Sequence, residues 1–546
     1  MKLCALSIII VTALLAAGCG PKGGSAEKPF IYARAADSQK LDPAAADDAE
    51  SAKVLANICE GLLRFKSGST EIEPCLAETW TLSSDGRTCI LALREGVKFH
   101  DGTPLNAAVV AWNFNRRMDP NAPARPPATS ASDEPAFFSD IEAVRVLDEL
   151  RLELRLKKPN AALLPNLATV GTALISPRAF ADYGEGLSRH PVGTGPFKLR
   201  EWLPNERIVL EANPDYWGRK PKCDRVVFRV IPNNSARFIQ LQTGQVHVMD
   251  GLDPSDLASV RADNNLVLLE TPGINLACLA FNCRKPPMDR LEFRQAVAMA
   301  IQKQPLVESV YRGAAVAATS ILPSALRPPD ANFEDWSRDI ERARGLIAQL
   351  QIVLKPVTVS TNDAFGLPIT FTTNVIERVE LPLLRLHVPA KPQPYLPDPM
   401  RAAELIKTDL ENIGLRIQIV AQDPAAYLAA IRNGDHDLAL HGCVGRNGDP
   451  GDFLRIIDPE AARAGSGINA ALLDDYQLAA ALNDGREQLD PEKRARAYMR
   501  ALALARERLP VIPLAFAKDI AALRREVRGF VIQPTFEARL APVKLK

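Results

Sequence analysis

A short apolar stretch at the N-terminus, followed at once by Cys19, constrains this chain more than any other feature. Residues 1–18 read MKLCALSIIIVTALLAAG, with Lys2 ahead of the apolar run and small residues at its end. This layout predicts a secretory signal peptide. The run is also shorter than the roughly 20 apolar residues that a permanent membrane helix needs. We therefore expect the remaining residues to fold and work outside the cytoplasm, in the cell envelope and facing the periplasm.

The residues around the expected cleavage site resemble a bacterial lipobox, in which a cysteine is lipidated and becomes the new N-terminus. Ala16 stands where Leu is usual, and Leu15 lies one place earlier. The resemblance implies a lipid anchor at Cys19, and the Gly-, Ser- and Lys-containing residues 19–29 then predict a flexible tether. An ordinary signal peptide cut nearby is the alternative. Gly20 leaves the choice between inner and outer membrane open.

Composition predicts a soluble protein with more than one domain. The chain has 546 residues, of which 47% are hydrophobic and 24% charged, and no second long apolar run follows the first. That length is too great for a single hydrophobic core. The formal net charge of +1 gives no electrostatic signal for nucleic acid. Two of the nine cysteines are Cys4 and Cys19, so an odd number, seven, remains and at least one thiol stays free.

Helical and strand periodicities alternate along the chain and predict an α/β fold. The alternation is clearest in two segments. Residues 225–249 read strand, helix, strand, and residues 401–440 read helix, strand, helix, strand, with the first helix ending at Gly414. A helix is expected within 48–65, and two short helices within 292–313. The region 321–399 is rich in proline, and its elements cannot be assigned from the pattern.

Catalytic signatures are missing from the sequence. It contains no G-x-S-x-G, H-E-x-x-H, Walker or Rossmann pattern, and no Cys-x-x-Cys spacing. The S-x-x-K spacing from Ser25 to Lys28 falls in the expected tether, where no pocket can form. The six histidines are scattered. We therefore expect a protein that is not an enzyme and has neither a cofactor nor a metal site.

Five segments in a fixed order resemble the family 5 extracellular solute-binding proteins of bacterial ABC importers, the group that binds dipeptides, oligopeptides and nickel. The first combines an apolar run, an Asp-Gly-Thr turn and a helix that Asn106 could cap. The resemblance extends from about residue 31 to about residue 543. The segments are LREGVKFHDGTPLNAAVVAWNFNRR (93–117), PVGTGPFKLREW (191–202), NPDYWGRK (213–220), NLACLAFNCRKPP (275–287) and the closing residues 509–532.

The resemblance implies two α/β lobes joined by hinge strands, with an extra domain inserted in lobe I. A peptide or peptide-like small solute would be enclosed between the lobes and delivered to an ABC permease in the inner membrane. The implied domains are a signal peptide (1–18), the lipidated tether (19–29), lobe I (30–47, 188–270 and 492–546), the extra domain (48–187) and lobe II (271–491).

Two charged groups that hold a dipeptide in the family are replaced in this chain. The family's Asp for the ligand ammonium group matches Arg446, and its preceding Trp matches Cys443. The Arg-Pro-Tyr segment that holds the ligand carboxylate reads Gln393-Pro394-Tyr395. One charge-assisted hydrogen bond contributes about 1.5–3 kcal/mol, so losing both would weaken a zwitterionic dipeptide by about a hundredfold to ten-thousandfold. Arg446 would favour a carboxylate or phosphate instead.

We therefore hypothesise that the ligand carries an acidic group near Arg446. Alternatively, Arg446 is a solvated loop residue and the loop alignment is shifted. Asp449, before Pro450, and Tyr395 each admit a structural interpretation as well. The predicted ligand-binding residues are Asp37, Ser38, Gln39, Gln393, Tyr395, Gly442, Cys443, Val444, Arg446 and Asp449. Two other functions stay open: a lipid-anchored envelope hydrolase on a binding fold, and a sensor on the same fold without a transport role.

Overall fold

The computed structural model describes residues 28–125, 136–328, 334–362, 368–535 and 537–546. The predicted signal peptide, Cys19 and the tether up to residue 27 lie outside these ranges. In the described ranges, no helix has the length and apolar character needed to cross a bilayer.

Strands and helices alternate through most of the described chain. The strands are β1 (Phe30–Arg34), β2 (Leu63–Phe65), β3 (Ile72–Pro74), β4 (Ala77–Leu82), β5 (Thr88–Leu93), β6 (Ile141–Val146), β7 (Arg151–Leu156), β8 (Phe197–Leu203), β9 (Arg207–Ala212), β10 (Arg225–Val230), β11 (Val248–Asp250), β12 (Leu266–Pro272), β13 (Asn275–Phe281), β14 (Ala315–Ala317), β15 (Ile352–Asn362), β16 (Pro368–Arg378), β17 (Leu384–Pro389), β18 (Ile417–Gln422), β19 (Leu438–Val444), β20 (Val511–Arg524), β21 (Val527–Arg528) and β22 (Lys544–Leu545). The α-helices are α1 (Ala49–Ile58), α2 (Ala107–Met118), α3 (Ala136–Asp140), α4 (Leu163–Leu167), α5 (Pro177–Tyr183), α6 (Asn234–Gln242), α7 (Leu257–Ala262), α8 (Leu291–Ala300), α9 (Lys303–Tyr311), α10 (Ile340–Leu350), α11 (Pro399–Glu411), α12 (Pro424–Asn433), α13 (Pro450–Phe453), α14 (Pro459–Arg463), α15 (Tyr476–Glu487) and α16 (Pro491–Arg508).

One long sheet passes through both lobes, in the order β18-β17-β19-β13-β20-β11-β1-β10-β9-β8. The half that contains β1 and β8 to β12 is lobe I, and the half that contains β13, β14 and β17 to β19 is lobe II. Parallel pairs occur in each half, between β1 and β10 and between β17 and β18. Such pairs need crossover connections, and helix α11 supplies the one between β17 and β18. Helix α6 connects β10 with β11, which both pair parallel with β1. The mixed two-lobed fold predicted from the sequence is confirmed.

Strand β20 joins the two lobes. Its first half pairs with β13, and its second half pairs with β12 and β11. At the crossing point the Asn275 side chain accepts a hydrogen bond from the Ala517 amide (2.8 Å) and donates one to its carbonyl (2.9 Å). Gly273 lies against the same carbonyl, where a Cβ atom would overlap Ala517 and Asn275. These residues lie where β20 crosses between the lobes, which is where the resemblance implies a hinge.

A smaller antiparallel sheet, β4-β5-β7-β6, lies apart from the long sheet and has its own apolar core with helix α2. Asn106 caps α2, because its side chain accepts the Val109 amide at 3.0 Å, as the sequence predicts. Helix α1 buries Val54, Leu55 and Ile58 in the core of lobe I. The domain boundaries given above stay a prediction.

The proline-rich region that the sequence could not assign contains regular structure. Helix α10 is followed by the hairpin of β15 and β16 and then by β17, which joins lobe II. The hairpin pairs Ile352 with Arg378 at its base and Asn362 with Pro368 at its end. Prolines 356 and 368 therefore lie within a two-stranded ribbon, where edge positions tolerate a missing amide donor.

Candidate functional site

Three predicted residues of lobe II, Gly442, Cys443 and Val444, form the end of β19 beside β13. The Tyr395 ring lies directly over Gly442, where a Cβ atom would overlap both that ring and the Leu276 carbonyl. Tyr395 is only 9% exposed, and its carbonyl accepts a hydrogen bond from the Tyr311 hydroxyl at 2.7 Å. Burial raises the pKa of Tyr395. The structure therefore brings these predicted residues together around a fixed aromatic ring.

Gln393 lies in a tight turn ahead of Tyr395. Its amide and carbonyl exchange two 2.9 Å hydrogen bonds with Leu396. Its side-chain amide donates to the Lys391 carbonyl at 3.1 Å. The turn fixes the backbone before Tyr395, and Gln393 itself carries no charge.

Arg446 follows β19 and is exposed. Its backbone amide donates to Asp452 at 3.2 Å, and a second arginine, Arg455, lies 4.0 Å from the same carboxylate. Burial, with a smaller contribution from the Arg446 charge, lowers the pKa of Arg455. Asp452 thus binds the Arg446 backbone amide and lies near the Arg455 guanidinium, whereas the exposed Arg446 guanidinium forms no ion pair within the described ranges and leaves an excess positive charge at the end of β19.

Asp449 is engaged within the loop that follows β19. Its carboxylate accepts the Gly451 amide at 2.7 Å at the start of α13 and pairs with Arg494 at 2.5 Å. Only 3% of its side chain is exposed. These contacts agree with the structural interpretation of Asp449, which already bonds a cation and an amide of its own chain.

The predicted residues of lobe I follow β1. Asp37 accepts hydrogen bonds from Arg34 (2.8 Å) and from the Trp202 indole (2.9 Å). The Ser38 hydroxyl accepts from Arg34 at 2.8 Å and donates to the Glu50 carbonyl at 3.1 Å. Gln39 is exposed. The side chains of Asp37 and Ser38 thus hold the loop in place.

A buried charge cluster lies behind this loop, formed by Arg34, Glu50, Lys53 and Asp250 together with Asp37. Lys53 pairs with Glu50 (2.8 Å) and with Asp250. Burial opposes ionisation of Lys53, but the carboxylates of Asp250 and Glu50 raise its pKa above the ordinary value. Burial likewise opposes ionisation of Asp250, yet the Lys53 ammonium group lowers its pKa. Every charge in the cluster faces an opposite one.

Within the described residues, no hydrogen bond or ion pair joins the predicted set of lobe I to that of lobe II. The loop after β19 instead contacts α4, because the Asn447 amide donates to the Asn166 side chain at 2.7 Å. Gly448 lies against Thr70. Sequence reasoning missed Arg455 and Asn166, and no spacing or motif in the sequence distinguishes either of them.

The described residues contain no group of three or more His, Cys, Asp and Glu side chains suited to a metal ion. None of the seven cysteines in these ranges forms a disulfide. Three of them, Cys59, Cys75 and Cys278, are buried, and burial raises their pKa. Buried thiols of this kind are poor nucleophiles.

Comparison with known proteins gives a consistent result. Residues 71–463 match the model of the bacterial extracellular solute-binding proteins, family 5 Middle. The dipeptide-binding protein of Escherichia coli K12 is 30% identical over 492 residues, covering 87% of this chain and 86% of that protein. Heme-binding protein A of Haemophilus influenzae is 30% identical over 532 residues, covering 93% and 91%.

Solved structures agree with the sequence matches. The periplasmic binding protein DppA of Helicobacter pylori, in complex with the peptide STSA, superposes with a TM-score of 0.78 at 26% identity. The match covers 95% of this chain and 98% of that one. The chain therefore belongs to the family 5 bacterial extracellular solute-binding proteins, and its role is to bind a substrate outside the cytoplasm.

Proposed function

We propose that this protein captures a peptide or peptide-like solute that carries an acidic group and delivers it to an ABC permease in the inner membrane. Its relatives are binding proteins, which supports a binding role over the hydrolase alternative. Their names differ in cargo, however: one is a dipeptide-binding protein and another a heme-binding protein. The ligand class therefore has to be argued from the residues of this chain.

One observation carries the proposal: the exposed Arg446 guanidinium has no ion-pair partner within the described ranges. Its charge acts on the neighbouring Arg455, and the nearby Asp452 carboxylate accepts only the Arg446 backbone amide while it lies 4.0 Å from Arg455. An additional anionic group would complete this arrangement, and a carboxylate can accept two parallel hydrogen bonds from one guanidinium group. An ammonium group at the same place would be repelled. The proposed ligand therefore presents a carboxylate or phosphate to Arg446, with the Tyr395 ring and the end of β19 as the adjoining wall.

The fold supplies the capture step. Closure of the lobes about β20 and the Asn275 contact would enclose the ligand between the end of β19 and the loop after β1. The residues of that loop, Asp37, Ser38 and Gln39, would contribute backbone contacts, since the side chains of Asp37 and Ser38 are engaged within lobe I.

The membrane attachment is part of the same proposal. A lipid on Cys19, followed by the short tether, would keep the binding protein beside its permease. Growth in medium with radiolabelled palmitate, with the wild type and the Cys19→Ala variant compared, tests this attachment. Label on the wild type alone is expected, whereas equal labelling or no labelling of both proteins would contradict it.

Native mass spectrometry of gently purified protein tests the ligand class. We expect a co-purified peptide-like molecule with an acidic group in the wild type. The Arg446→Asp variant should lose it, and the Arg500→Ala variant should keep it, because Arg500 is an exposed arginine on α16. A ligand without an acidic group, or equal occupancy in the wild type and Arg446→Asp, would overturn the proposal.

A further inference from the structure

A cavity of about 460 Å³ lies between lobe I and the hairpin of β2 and β3, away from the predicted cleft residues. The end of α1, strands β2 and β3, the loop after β9 and the C-terminal segment 529–542 surround it. None of the residues predicted as ligand contacts lines it. Its volume lies within the range of cavities that hold small molecules.

One wall of this cavity is a pair of fixed aromatic rings. The buried Glu60 carboxylate accepts hydrogen bonds from the Tyr216 hydroxyl (2.7 Å), the Trp217 indole (2.8 Å) and the Thr194 hydroxyl (2.8 Å). The Arg94 guanidinium carbon lies over the Trp217 ring, 4.7 Å from the ring centre. Glu60 is thus fully used in orienting the two rings.

The other carboxylates of the cavity are also engaged. Glu73 pairs with Arg64 at 2.7 Å. Glu537, with 4% of its side chain exposed, pairs with Arg539 at 2.6 Å. No lining carboxylate is left to compensate a further cation.

Three cations at the cavity lack such partners. Arg219, Lys220 and Lys222 line it from the loop after β9, and all three are exposed. None of them forms an ion pair with the residues in the described ranges. The residues that line the cavity therefore carry an excess of positive charge, although the formal net charge of the whole chain is only +1.

From this arrangement we infer a second binding site, for a small anion with at least two negative charges carried by carboxylate or phosphate groups. The anionic groups contact Arg219, Lys220 and Lys222, and the remainder of the ligand lies against Tyr216 and Trp217. This site is separate from the peptide site at Arg446. A free metabolite or a lipid headgroup would present the same chemistry.

Calorimetric titration at low salt tests the inference, with pyrophosphate and citrate as free anions and glycerophosphoglycerol as a soluble lipid headgroup. Binding of at least one of these probes is expected. The triple variant Arg219→Ala/Lys220→Ala/Lys222→Ala should bind it about tenfold more weakly. A matched control, Lys493→Ala/Arg496→Ala/Arg500→Ala, removes three exposed cations from α16 and should bind as the wild type does.

A filling variant separates the cavity from surface charge. Thr169→Trp places a large side chain in the cavity without changing any charge, and Ala56→Phe serves if the first variant does not fold. Weaker binding of the probe is expected, with unchanged binding of the cleft ligand. The probes that bind identify the source of the anion. No binding of any probe, equal loss in both triple variants, or full binding in the filled protein would overturn the inference.

Discussion

The loop after β1 and the loop after β19 use the same charged residue types in opposite ways. In lobe I, Arg34 has no exposed surface, and it pairs with Asp37 in front of the cluster that Glu50, Lys53 and Asp250 complete. In lobe II, Arg446 is exposed, and its neighbour Arg455 lies 4.0 Å from the Asp452 carboxylate.

This difference separates charges that hold the fold from a charge available to a ligand. In a cluster whose charges already face opposite charges, a charged ligand adds little stabilisation. Removal of one member, however, leaves a buried charge without a partner. An excess guanidinium group on the surface has little effect on stability but attracts an anion. Variants in the charge cluster behind the first loop should therefore change the free energy of unfolding, and variants in the second loop should change affinity.

The largest expected effect is the loss of Lys53. The Lys53→Met variant leaves Glu50 and Asp250 close together without their cation, so the free energy of unfolding should fall by about 3–5 kcal/mol. Urea denaturation followed by circular dichroism measures it. Lys66→Met, at an exposed surface pair with Glu71, is the control and should unfold as the wild type does. Equal midpoints for all three proteins would contradict the assignment of the cluster to stability.

Strand β20, which crosses between the two lobes, should make the free energy of unfolding depend on pH. Burial raises the pKa of Asp519 on β20 to about 7 from its ordinary 3.8. A raised carboxyl pKa stabilises the fold below pH 3.8, and that contribution is lost as pH rises through 7. The Asp519→Asn variant should therefore gain about 2–4 kcal/mol over the wild type between pH 4 and pH 7.

Thermal or urea unfolding of both proteins across that pH range measures the effect. The variant keeps the shape of the side chain opposite Thr271, its register partner on β12. A stability difference that stays constant with pH, or one that favours the wild type at pH 7, would contradict the raised pKa of Asp519.

A smaller loss of stability is expected at the aromatic wall of the cleft. The Gly442→Ala variant places a methyl group against the Tyr395 ring and the Leu276 carbonyl, so the free energy of unfolding should fall by about 1–3 kcal/mol. Gly345→Ala is the matched control, because Gly345 lies in α10 with open space around it and alanine should stabilise that helix by about 0.5–1 kcal/mol. Equal effects from both substitutions would refute the close packing at Gly442.

The smallest change in stability is expected at Arg446. The Arg446→Ala variant should unfold within about 0.5 kcal/mol of the wild type, because the exposed Arg446 side chain forms no ion pair with the described residues. Differential scanning calorimetry measures this. A loss as large as that expected for Lys53→Met would mean that Arg446 holds the fold and would end the contrast between the two loops.

Local features of the fold could be predicted from the sequence, whereas long-range partners could not. The Asn106 cap and the end of α11 before Gly414 depend on a few neighbouring residues. The position of Asp452 between the Arg446 backbone amide and the Arg455 guanidinium depends on how α13 and the turn after it fold back. Asp37 bonds Trp202, 165 positions away, and Glu60 bonds Trp217. Partners so far apart in the chain follow no spacing that a single sequence reveals.

Calorimetry with peptides that differ only by glutamate against glutamine tests the central claim most directly. If Arg446 binds an acidic group, wild-type protein should prefer the glutamate peptide by about tenfold to a hundredfold. The Arg446→Ala variant should bind both peptides with nearly equal affinity. The same preference in wild type and variant, or no preference in the wild type, would contradict the account.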